Sequence, residues 1–192
     1  MRGAVFLDRD GVVIEDVHLL TSPDDLRILK GVPQALSSLR GGGFELVIIT
    51  NQAVIARGQA TEQEVRDVQA RLEELLLRAC GPPLDGFYFC PHHPQATLTR
   101  YRVVCDCRKP RPGLLLRAAQ ERQLDLSVSF MVGDRVTDII AGARAGCRTV
   151  LVQTGRHAEP PIETGEPIED SVKPDYVCPD LQAAAEWILK VK

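Results

Sequence analysis

The sequence predicts an α/β protein built on a doubly wound, mostly parallel, Rossmann-like sheet with helices on both faces. Two observations carry that expectation. Short apolar runs, mostly β-branched or aromatic, alternate along the chain with segments of helical period. The runs are also nearly continuously apolar, as parallel strands covered on both faces must be. The predicted strands are Ala4–Leu7, Leu46–Ile49, Gly86–Phe89, Phe130–Val132, Val150–Val152 and Tyr176–Val177. Between them, helices are expected at Val32–Arg40, Thr61–Ala79, Gly113–Gln123, Thr137–Ala145 and Asp180–Val191. The Thr61 helix is the clearest. Val65, Val68, Leu72, Leu75, Leu76 and Ala79 form one stripe, Thr61 and Glu64 make a capping box, and Gly81-Pro82 ends it. Gly41-Gly42-Gly43 reads as another helix stop.

The 192 residues include 23 Lys+Arg and 26 Asp+Glu, a net charge of −3. That length is expected to form one domain, 1–192, with no separate cap between the motifs. A chain of this size buries roughly 70% of its unfolded surface, so six cysteines are not needed as staples. The charge balance excludes a nucleic-acid binder working by massed positive charge. No apolar stretch approaches the roughly 18 residues of a membrane span, and Asp8 interrupts the N-terminal run too early for a signal peptide. A cytoplasmic location is expected, where clustered thiols bind metal or do chemistry. No exposed apolar helix stands out, which favours a monomer. His157–Pro174, rich in proline and acids, reads as a long surface loop.

In doubly wound sheets, ligands sit beyond the carboxyl ends of the strands. The first strand runs into Asp8-Arg9-Asp10-Gly11. Residues two apart on an extended chain point the same way, so both carboxylates face one place and demand a positive partner. Taken alone, this fits a solvated turn equally well. The second strand ends in Thr50-Asn51-Gln52, either a polar turn or a clasp of one hydroxyl and two amides. The fourth apolar run ends in Gly133-Asp134-Arg135, with Asp138 four residues after Asp134. Arg108-Lys109-Pro110 brings two cations to the start of a helix. Together these groups describe one site.

Cys90-x-His92 and Cys105-x-Cys107 offer three thiols and an imidazole, the donor set of a closed tetrahedral zinc site, with His93 an alternative ligand. The competing reading is a set of unrelated buried cysteines. The zinc-binding loop, about 90–107, leads directly into Arg108 and Lys109, so a metal there would brace them. Cys80, Cys147 and Cys178 stand apart and are expected to be small core residues.

The set of motifs, in order from Asp8 to Asp138, resembles the haloacid dehalogenase superfamily. Asp10 favours its phosphatases, since the dehalogenases lack that second Asp. The resemblance implies that Asp8 attacks phosphorus, Asp10 works as acid and then base, and Thr50 and Lys109 bind the phosphoryl oxygens. It also implies Mg²⁺ on the Asp8 side chain, the Asp10 carbonyl and Asp134. Asp138 would orient Lys109 or a metal-bound water, and Arg135 would lie beside the metal. The wording Cys90-Pro-His-His-Pro with Cys105-Asp-Cys-Arg-Lys-Pro, together with Ile55-Ala56-Arg57-Gly58, is similar to the family of D-glycero-D-manno-heptose 1,7-bisphosphate 7-phosphatases and histidinol phosphatases. For that family Arg108 recognises substrate, while Asp16, Val17, His18, Leu19, Asn51, Gln52 and Ala53 line the pocket. The expected substrate is a small phosphorylated sugar or alcohol, with heptose bisphosphate ahead of histidinol phosphate. The sequence departs from the family at Val12 and Ile14, where Thr and Asn are usual, and at Ala53-Val54, where Ser-Gly is usual. Val54 is expected to narrow the pocket. A non-catalytic, zinc-stabilised phosphate-binding protein is the reading of a different class. A nucleotide-binding module lacks its glycine motifs here.

Overall fold

The computed structural model describes residues 2–17, 20–158 and 172–192. Its sheet has the strands β1 (Ala4–Leu7), β2 (Glu45–Asn51), β3 (Gly86–Cys90), β4 (Phe130–Gly133), β5 (Arg148–Val152) and β6 (Tyr176–Cys178). They lie in the order β3-β2-β1-β4-β5-β6, all parallel. The helices are α1 (Val32–Gly41), α2 (Ala53–Ala56), α3 (Glu62–Arg78), α4 (Gly113–Arg122), α5 (Val136–Ala145) and α6 (Leu181–Val191). The predicted α/β class and all six strands are present. The four-residue α2 was not anticipated, because one helical turn leaves no periodic stripe.

The two faces of the sheet can be read from single strands. Val5 and Leu7 enter one core with Leu36, Leu39, Leu72 and Ile188, while Ala4 and Phe6 enter the other with Leu115, Ala118 and Ala141. All four residues of β1 are fully buried. Burial on alternate sides is why no apolar/polar alternation appears in the sequence. Thr61 caps α3 with the expected capping box, and Val65, Val68, Leu72 and Leu76 are its buried stripe. On the far edge Trp187 stacks on Tyr176 at 4.9 Å between ring centroids and meets Phe130 edge-on.

Three expectations change. Cys80 is exposed, at φ 58° in the turn after α3, and is no core residue; Cys147 and Cys178 are buried. Val12 and Ile14 are fully buried in the first core, so these departures from the family pattern lie under the site instead of lining it. Val54 packs into a small cluster with Ile55, Ala60 and Val65 and does not narrow the pocket. His18, Leu19 and most of the loop expected at 157–174 lie outside the described residues. Among the described residues, no helix is long and apolar enough to cross a membrane.

Candidate active site

The strand order reverses at β1, between β2 and β4, and the crevice beyond their carboxyl ends is where this architecture binds ligands. Asp8 follows β1 directly and extends its ladder, its N–H donating to Val132 O at 2.9 Å. Asp134 follows β4, and Asp138 lies on the first turn of α5. Lys109 arrives from the loop after β3. Its ammonium, only 2% exposed, lies 3.0 Å from Asp8 Oδ1 and 2.6 Å from Asp138 Oδ1, and donates to Ile49 O at 2.9 Å. Asn51 fixes this loop by a reciprocal pair: Nδ2 donates to Lys109 O and Oδ1 accepts from Lys109 N, each at 3.1 Å. Burial pulls the ammonium down, but Asp138 and Asp8 more than offset it and hold Lys109 above the ordinary lysine range.

One lysine is too little positive charge for this pocket. Carboxylate oxygens of Asp8, Asp134 and Asp138 lie within 4.8 Å of one another. Burial raises Asp8, only partly opposed by Lys109. Burial, with the charges of Asp8 and Asp138 added, pushes Asp134 up to about 8. Asp134 Oδ2 accepts from Arg156 N at 2.7 Å, whereas Asp134 Oδ1 is buried without a hydrogen-bond partner. Asp138 is already committed, Oδ1 to Lys109 and Oδ2 to the Arg135 N–H at 3.0 Å. An orphaned carboxylate oxygen beside a second carboxylate is the donor set of a hard, oxygen-loving cation such as Mg²⁺. Gly11, at φ 84°, keeps this space open, since a Cβ there would lie 2.6 Å from Asp134 Oδ2.

Asp10 does not join that group. Its carboxylate takes Arg9 Nε at 3.2 Å, Arg9 Nη2 at 3.3 Å and Gln52 Nε2 at 2.9 Å. Gln52 also donates to Thr50 Oγ1 at 2.9 Å, leaving the Thr50 hydroxyl proton free to bond an anion. Asp16 is spent on Arg156, 2.6 Å away, and lies 3.8 Å from Arg135, so it positions two cations near the site. Val17 is 44% exposed, and Ala53 begins α2 beside Gln52.

Sequence reasoning missed Arg9, Thr154 and Arg156. The segment after β5 closes on the site, with Thr154 Oγ1 donating to Gly11 O at 2.6 Å and the Arg156 N–H bonded to Asp134. Attention to the end of β5, as to those of β1, β2 and β4, would have found it.

The second cluster stands beside the first. Cys107 Sγ is 3.1 Å from both Cys90 Sγ and Cys105 Sγ, Cys90 Sγ is 3.5 Å from Cys105 Sγ, and His92 Nδ1 is 3.4 Å from Cys107 and 3.7 Å from Cys90. These spacings approach the edges of a zinc tetrahedron, about 3.8 Å between sulfurs for bonds near 2.3 Å. His93 is elsewhere, its Nδ1 accepting from Gln95 N at 3.1 Å. Arg108 Nη1 donates to His92 O at 3.0 Å, tying the cluster to the residue before Lys109.

Relatives match the chain over nearly its whole length. The D-glycero-beta-D-manno-heptose-1,7-bisphosphate 7-phosphatase of Escherichia coli K12 is 37% identical over 186 residues, covering 97% of this chain and 87% of that one. The D-glycero-D-manno-heptose-1,7-bisphosphate 7-phosphatase of Thermosynechococcus vestitus is 40% identical, covering 97% and 95%. The chain belongs to this phosphatase family. A profile described as HAD-hydrolase-like matches residues 106–184. The crystal structure of the D,D-heptose 1,7-bisphosphate phosphatase of B. bronchiseptica, complexed with magnesium and phosphate, superposes with a TM-score of 0.80. It is 33% identical and covers 99% of both chains. Membership makes the protein a HAD-fold phosphatase and disfavours the non-catalytic reading.

Proposed function

We propose that the protein removes the 7-phosphate of D-glycero-D-manno-heptose 1,7-bisphosphate, through an aspartyl-phosphate on Asp8. The observation that carries the chemistry is Lys109, clamped between Asp8 and Asp138 next to the orphaned oxygen of Asp134. Family membership carries the choice of sugar. Asp8 attacks phosphorus as the bond to the leaving oxygen breaks, and Asp10 gives that oxygen its proton. Asp10, now ionised, takes a proton from the water that attacks the phosphoryl-Asp8, freeing inorganic phosphate and restoring both carboxyl groups. Thr50 and Lys109 hold the phosphoryl oxygens throughout, as charge redistributes over them. Asp8, Asp134 and the Asp10 carbonyl would hold Mg²⁺, which when bound supplies the positive charge that lets Asp8 and the phosphate approach. Asp138 and Arg135 orient the groups around that ion, and Asp138 fixes the Lys109 ammonium.

The remaining pocket is assigned to Asp16, Val17, His18, Leu19, Asn51, Gln52, Ala53 and Arg108. Histidinol phosphate offers only one phosphate, so a bisphosphate makes fuller use of the cations Arg108, Arg135 and Arg156 around the site. Phosphate release from the two substrates, side by side with Mg²⁺, tests the choice. Heptose 1,7-bisphosphate should be favoured by at least about 100-fold in kcat/KM, on the order of two to three kcal/mol of differential contact. Equal rates would overturn the sugar assignment.

Cys90, His92, Cys105 and Cys107 are proposed to hold structural Zn²⁺. With all four positions taken by protein, it has no opening for substrate. Its role is to lock the loop that delivers Arg108 and Lys109. Protein purified without chelator should contain about one zinc per chain. Cys105→Ser should lose the metal and part of the folding energy, which for structural zinc is on the order of 10 kcal/mol. Metal analysis finding no zinc would contradict this.

A further inference from the structure

Arg9 has no part in the chemistry above, yet among the described residues it is the largest fully buried side chain, 1% exposed. A guanidinium is costly to bury, so its contacts indicate what the burial achieves. Nε reaches Asp10 Oδ2 at 3.2 Å, and Nη2 lies 3.1 Å from Oδ2 and 3.3 Å from Oδ1, so two nitrogens grip the one carboxylate. Nη2 also donates to Gln52 Oε1 at 3.0 Å. Gln52 Nε2 returns to Asp10 Oδ2 at 2.9 Å, closing a triangle, and to Thr50 Oγ1. Nη1 is buried without a hydrogen-bond partner, so the site is arranged around Asp10 and Gln52 and not around the needs of the arginine.

We infer that Arg9 is a positioning residue that, braced by Gln52, fixes the Asp10 carboxyl where it meets the leaving oxygen. The inference rests on Asp10 as the proton donor. Asp10 is the more exposed partner, its side chain 24% accessible at the mouth of the site, so without the two-pronged hold it could swing toward solvent. Proton transfer demands hydrogen-bond reach at the moment of bond cleavage, and small displacements are expensive in rate. The effect should therefore scale with how much the leaving group needs its proton.

Single-turnover release of the leaving group isolates the first step. An alkyl phosphate such as heptose bisphosphate must have its departing oxygen protonated, whereas p-nitrophenyl phosphate departs as a stable phenolate. Arg9→Met should slow the alkyl substrate by about 100-fold, the lower range for general acid catalysis, and the aryl substrate by only a few-fold. Asp10→Asn should show the same selective loss, and Arg9→Lys, which keeps one donor group, should recover part of it. The ratio of the two rates does not depend on the fraction of folded protein, and Arg9→Lys carries the same comparison if Arg9→Met does not fold. Equal loss on both substrates for the Arg9 variants, with Asp10→Asn remaining selective, would overturn the inference alone. An unselective Asp10→Asn would overturn the proton-donor assignment and the inference with it.

Discussion

Asp8→Asn should abolish Mg²⁺-dependent phosphate release, lowering kcat by about 10⁴-fold or more, while the protein stays folded. The amide is isosteric with the carboxylate but cannot form the acyl phosphate. The fold should tolerate it because Asp8 is a liability in the absence of cation: burial and Asp138 raise it against the pull of Lys109. Removing one of three clustered charges relieves that strain, so the metal-free melting temperature should hold or rise. A phosphate-release assay beside a thermal melt checks both halves. Turnover within tenfold of the unmodified protein would remove Asp8 from the nucleophile's role, and a collapsed melt would make the lost activity a folding effect.

Lys109→Met should have the opposite signature, losing activity and stability together. The side chain is 2% exposed and paired with two buried carboxylates. Methionine fills similar volume but leaves Asp8 and Asp138 facing one another unpaired, a change of about 3–5 kcal/mol. Measured by denaturant titration with chelator present, that loss should be evident. Added Mg²⁺ should restore part of the stability by neutralising Asp8, but not the turnover, because the phosphoryl oxygens have lost their donor. Stability equal to that of the parent protein would mean the ion triad contributes nothing net.

The contrast between these two variants reflects what could be read from the sequence. Continuous apolar strands, the Thr61 capping box and the helix-ending glycines are local signals, and the architecture followed from them. Asp8, Lys109, Asp134 and Asp138 could be gathered because each lies where a strand ends or a helix begins. Arg9 could not, since nothing local distinguishes an arginine turned inward from one in solvent; besides its neighbour Asp10, its partner is Gln52, 43 residues away. Arg156 and Thr154 differ: they lie just past the end of β5, a strand end that the sequence reading did not follow, and their bonds reach Asp134 and Gly11. Val12 and Ile14 show the reverse error: hydrophobic substitutions beside a motif suggested a changed pocket, whereas their side chains point into the core.

The most direct test is to trap the intermediate. Asp10→Asn protein mixed with p-nitrophenyl phosphate and Mg²⁺ should still release nitrophenolate in a burst, because that leaving group needs no proton, and then stall for want of a base to activate water. Acid quenching and peptide mass analysis should find one phosphoryl group, on the peptide carrying Asp8 and on no other. A stalled enzyme with no phosphoryl group on Asp8, or with one elsewhere, would contradict the account.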